Sequence, residues 1–81
     1  MEKFVELGLK MLTDAPDAER FHRRHLLLMT CRKFLNAYDA LTEEEKEMDD
    51  VKAIYGGVYA ALLHYNLGVV ICSARRKEGW H

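Results

Sequence analysis

The chain has 81 residues, a net charge of −1 and 49% hydrophobic residues. That length is one domain, residues 1–81, and it buries only about 60–65% of its unfolded surface. So apolar a composition on so small a core points to self-association or a partner protein, and the near-zero charge excludes a global pull toward nucleic acid or anionic membrane.

Charge is segregated along the chain. Arg20–Lys33 carries five bases and no acid, and Glu43–Asp50 carries six acids and one lysine. The two cysteines, Cys31 and Cys72, lack metal-ligand spacing and read as reduced thiols of a cytoplasmic protein. Acids interrupt the apolar residues of MEKFVELGLKMLTD, so the N-terminus has no signal-peptide core.

Residues 2–13 are predicted as a short amphipathic helix, with Phe4, Val5, Gly8, Met11 and Leu12 on one side. Thr13-Asp14-Ala15-Pro16 reads as punctuation, with Asp14 as the next N-cap and Pro16 in a first helical turn. A second helix is predicted over 15–41, on a core stripe of Phe21, Leu27, Leu28, Cys31, Phe34, Leu35, Tyr38 and Leu41. Thr42-Glu43-Glu44-Glu45 is a capping box, so a third helix begins at once, over 43–76, and residues 77–81 form a frayed tail. So short a connection makes the second and third helices antiparallel neighbours. The expected fold is all-α: a long antiparallel helical hairpin with the short N-terminal helix packed on it, a three-helix bundle that dimerises.

The third helix organises the rest. Met48, Val51, Tyr55, Val58, Leu62, Tyr65, Val69 and Cys72 form one apolar seam at intervals of three and four. Ala53, Gly56, Ala60, Leu63, Leu67, Val70 and Ala74 form a second on the opposite side. Between them run Gly57, Ala61, His64 and Gly68, small enough for a helix backbone to approach closely. Either the N-terminal helix or a second chain lies in that strip, or its glycines serve as a flexible hinge, with a bend at Gly56-Gly57. Ala53–Ala74 has no Asp, Glu, Lys or Arg and is long enough to span a bilayer, but His64, Asn66 and the tyrosines argue against a span.

Chemistry finds little support. Glu19 and His22 have carboxylate–histidine spacing, but no second such pair exists to complete a metal site, and the histidines read as surface groups. Cys31 and Cys72 fall on apolar seams and should be buried, inert thiols. There is no Gly-rich phosphate loop and no activated serine. The expectation is no enzyme, no cofactor, no metal and no small-molecule substrate.

Binding is the better fit. Arg20 and Arg24 fall on the core side of the second helix, where either the bundle ends and their guanidinium groups reach water over packed stems or they meet acids of another chain at an interface, and Leu26 with Met29 forms a small apolar surface on its outer side. At the same end of the hairpin the third helix outruns the second, so that Val69, Val70, Ile71 and Cys72 lie at or past its start beside Arg20, Arg23, Arg24, Arg75 and Arg76, with Leu67 also expected in the contact surface. An apolar patch rimmed by arginine has the composition of an interface, so the contact surface is expected there and not at the acidic turn. The function expected is a protein-binding module, acting as a homodimer and as adaptor, small chaperone or inhibitor of an unidentified protein. In outline, though in no motif, the chain is similar to small helical-hairpin proteins such as secretion chaperones and phage-encoded inhibitors. The rival is a nucleic-acid-binding regulator using Arg20, Arg23, Arg24, Arg75 and Arg76.

Overall fold

The first helix runs straight through Pro16. In the computed structural model, which describes residues 1–75, α1 spans Glu2–Phe21. It is followed by α2 (Arg24–Asp39), the single turn α3 (Glu43–Lys46), α4 (Asp49–His64) and α5 (Gly68–Arg75). The described residues are all helix and connection, with no strand. Residues 76–81, including Arg76 and the expected frayed tail, lie outside the described residues.

The expected break at 13–16 is therefore corrected, and the reason is burial. Phe4, Gly8, Met11, Ala15 and Ala18 form one buried stripe at spacings of four and three, crossing the proline without a phase shift. Pro16 has no N–H to donate to Leu12, a cost of up to ~3 kcal/mol. Burying Met11, Ala15 and Ala18 on one continuous face outweighs it.

The stripe ends at Ala18, and the helix ends with it. His22 takes a left-handed conformation (φ 56°), and the Arg23 N–H donates back to the Ala18 carbonyl at 3.0 Å. This closure satisfies a terminal carbonyl and turns the chain. The expected helix 15–41 is thus divided between α1 and α2, within its basic run.

The expected helix 43–76 also breaks twice. Its start is as the capping box requires: the Glu45 N–H donates to Thr42 Oγ1 at 3.1 Å, and the Thr42 N–H donates to Glu45 Oε1 at 2.9 Å. That second bond holds the Glu45 carboxyl below its usual range. α3 then gives way at Met48, which is extended (φ −67°, ψ 139°), and α4 starts afresh. The second break is at Asn66, left-handed at φ 58°, with the Leu67 N–H bonded to the Leu62 carbonyl at 2.6 Å. Asparagine is among the few non-glycine residues that adopt this conformation readily.

Among the described residues five helices replace the expected three. α1 packs on α2 and α4, and α5 packs on α2 and α4, so the four longer helices close a ring in the order α1, α2, α5, α4. The straight hairpin of the second and third helices is not what forms. α2 and α4 meet across the middle through aromatic rings: Tyr55 lies 4.3 Å from Tyr38 and 6.1 Å from Phe34 between centroids. Phe4 of α1 stacks on Phe34 at 4.8 Å. The molecule measures 37 × 30 × 17 Å, about two helix layers deep. The largest fully buried side chains of its core are Phe4, Met11, Cys31, Phe34, Val51, Val58, Leu62 and Leu67, and none of the described polar or charged residues is buried.

Candidate protein-interaction site

The arginine-rimmed patch expected at the end of the third helix does not form. The turn at Asn66 folds α5 onto α2, which buries Leu67 (0% exposed), Val70 (3%) and Ile71 (7%). These three are core residues and are not available to a partner. Arg75 is held as well: Nε donates to the Tyr59 hydroxyl at 2.7 Å, and Nη2 donates to the hydroxyls of both Tyr55 and Tyr59. The Tyr59 bond raises the arginine's affinity for its proton. Arg75 pins α5 to α4 instead of rimming an open patch. Burial pushes the Tyr55 phenol up to about 12 and the Cys31 thiol up to about 11. Cys72 was expected to be buried and is exposed; both cysteines are free.

Two surfaces remain open. One is the outer side of α4. Ala53, Gly56, Ala60, Leu63 and His64 are exposed, with Gly57 and Ala61 half-buried beside them. No charged side chain interrupts this face from Ala53 to His64. A Cβ placed on Gly56 or Gly57 would meet nothing within 4 Å. The N-terminal helix therefore does not occupy the small-residue strip; α1 meets α4 at Ile54, whose Cγ2 stands where a side chain on Gly8 would be. Leu63 is 66% exposed, and Val69 at the start of α5 is 59% exposed.

The other open surface is a groove of about 410 Å³ between α1 and α2. α1 contributes Lys10, Asp14, Asp17 and Ala18; α2 and the turn before it contribute Arg23, Leu26, Leu27, Met29, Thr30 and Lys33. Leu26 (51%) and Met29 (55%) are exposed, as the sequence led one to expect. Arg20 and Arg24 are exposed too, but they belong to different helices, on either side of the His22 turn, and not to one core stripe. Phe21, expected in the core, is 58% exposed, and the guanidinium groups of Arg20 and Arg23 stand 6.0 and 5.8 Å from its ring centroid.

Sequence reasoning missed the α1 wall of this groove. Lys10, Asp14 and Asp17 share a helical face only if the helix continues past Pro16. The spacing of Met11, Ala15 and Ala18 was the available signal. Among the described residues no three His, Cys, Asp or Glu side chains converge on a metal position, and no helix is long and apolar enough to cross a membrane. No protein-family model, no curated protein and no solved structure matches this chain.

Proposed function

We propose that this chain is a non-enzymatic protein-interaction module of the cytoplasm that works as a homodimer, serving a partner protein as adaptor, small chaperone or inhibitor. The observation that carries the reading is the uncovered outer face of α4. Two adjacent glycines in the middle of that helix cost about 1 kcal/mol each relative to alanine, and among the described residues nothing packs where their side chains would be. Close approach of a second helix backbone would make use of that missing bulk. The absence of charge along the face favours self-contact, because like charges would otherwise meet across a two-fold axis.

Sedimentation tests it. The purified protein should be a dimer at micromolar concentration, with a melting temperature that rises with concentration. Gly56→Arg and Ala60→Glu lie on exposed backbone, so each should yield a folded monomer with an unchanged helical circular-dichroism spectrum. A wild-type monomer at ~100 μM, well above the dissociation constant of a functional dimer, would remove the reading. The rival nucleic-acid regulator draws on Arg20, Arg23 and Arg24 and requires affinity that falls steeply with salt.

A further inference from the structure

The α1–α2 groove is separate from the α4 face and asks for a different occupant. Its apolar lining is the buried Ala18 and Leu27 with Leu26 and Met29, each of the last two more than half exposed. Its α2 side is basic, and none of the three ion pairs among the described residues includes Arg23, Arg24, Arg32 or Lys33. The chain's own acidic block, Glu43–Asp50, follows the end of α2, which lies about 22 Å along the helix from Arg24 and about 9 Å from Lys33 at 1.5 Å per residue. Among the described residues its ion pairs are to Lys46 and Lys52, not to Arg23 or Lys33. The α1 wall differs: Asp14 is paired with Lys10 at 3.5 Å, and Asp17 has no such partner among the described residues.

We propose that the α1–α2 groove docks one amphipathic helical segment of a partner protein, with aliphatic side chains along one face and acidic residues on the flank that meets α2. A cleft between two packed helices accepts a third helix, whose side chains at spacings of three and four fit between those of Leu26, Met29 and Lys33. The aliphatic face covers Leu26 and Met29. The acidic flank meets Arg23 and Lys33, and Asp17 repels acids on the other flank, which fixes the orientation. A nucleic-acid backbone fits less well. The apolar lining offers nothing to phosphates, and Asp14 and Asp17 stand in the wall along which they would run.

Fluorescence anisotropy with the full chain at low salt provides the test. The probe is a labelled helical peptide of roughly 16 residues, about 24 Å long, with leucines at helical spacing and glutamates on one flank. The comparison probes are polyglutamate, the same peptide with lysine for glutamate, and duplex DNA. The glutamate–leucine peptide should bind, and the lysine version should not. Leu26→Ser, Met29→Ser and Lys33→Glu should each weaken binding by ~10-fold or more. All three positions are exposed, so their circular-dichroism spectra should match wild type. The monomeric Gly56→Arg variant should bind as well as wild type, so a failed dimer would leave this result standing. Equal binding of polyglutamate, or indifference to Leu26→Ser, would overturn the proposal by reducing the groove to a charge patch. Tighter, steeply salt-dependent binding of DNA would reassign it to phosphate. Loss of self-association in Leu26→Ser would show that a second copy of the chain is the occupant.

Discussion

Helices α1 and α4 pack on each other, and each carries glycine on a different side of that contact. At Gly8, a Cβ would collide with Ile54 Cγ2 of α4 and lie 3.0 Å from Phe34 Cε1 of α2. The missing side chain is what lets three helices meet. At Gly56 and Gly57 a Cβ would meet nothing within 4 Å. The same residue, at the same intrinsic cost to a helix, closes the core in one place and leaves a bare surface in the other. Glycine inside a helical pattern therefore signals close approach without saying whether the approaching group belongs to the same chain. Only the neighbours decide.

The sharpest way to break the comparison is to remove what Gly8 makes room for. Phe34→Ala should lose about 3–5 kcal/mol, against a total stability of roughly 4–12 kcal/mol for a chain of this length. Urea denaturation would show it as a large fall in midpoint. A loss under about 1 kcal/mol would mean that the aromatic stack does not hold α1, α2 and α4 together. Next, Gly8→Ala gains ~1 kcal/mol in helix propensity but overpacks a stiff, β-branched isoleucine at a cost of about 1–3 kcal/mol. It should be destabilising on balance, and a more stable variant would place the closest approach of α1 elsewhere.

Gly56→Ala should do the reverse. Measured at a concentration where the protein is monomeric, it should raise stability by about 1 kcal/mol, because the new methyl group meets no neighbour. At higher concentration the same methyl should weaken self-association if a second backbone lies against this face. The smallest expected effect is on pH dependence. Tyr55 has its pKa raised from 10.0 to about 12 by burial, so the folded state holds that proton more tightly than the unfolded one. Its contribution to stability is complete below pH 10 and is lost as the pH rises toward 12. Cys31, raised from 9.0 to about 11, adds a loss that begins near pH 9. Alkaline denaturation should therefore set in above pH 9, and Tyr55→Phe should remove the tyrosine's share of the loss between 10 and 12 and leave that of Cys31 between 9 and 11. An unchanged profile in Tyr55→Phe would locate the alkaline loss in other groups.

The sequence by itself determined the helical character of the chain, the capping box at Thr42 and most of the inner face of α2. Each follows from a local rule: a hydroxyl three residues before a glutamate, or apolar residues at spacings of three and four along Leu27, Cys31, Phe34 and Leu35. It also determined the separation of the basic run from the acidic block, which needs only the order of residues. Where helices stop was decided by tertiary structure. Pro16 is a local stop signal, overridden because Met11, Ala15 and Ala18 bury one continuous face. His22 and Asn66 carry no obligatory stop, yet each adopts a left-handed backbone where the buried stripe of its helix runs out. The turn at Asn66 also exchanges the two seams. Before it, Val51, Val58 and Leu62 are buried while Ala53, Gly56, Ala60 and Leu63 face outward. After it, Leu67, Val70 and Ala74 of the second seam are buried while Val69 and Cys72 of the first are exposed. A helical periodicity is defined only within one unbroken helix, so one residue in the left-handed region resets the phase. That reset moved Val70 and Ile71 from an expected binding surface into the core, while the outer face of α4 stayed exposed and the run of α1 past Pro16 built the groove against α2.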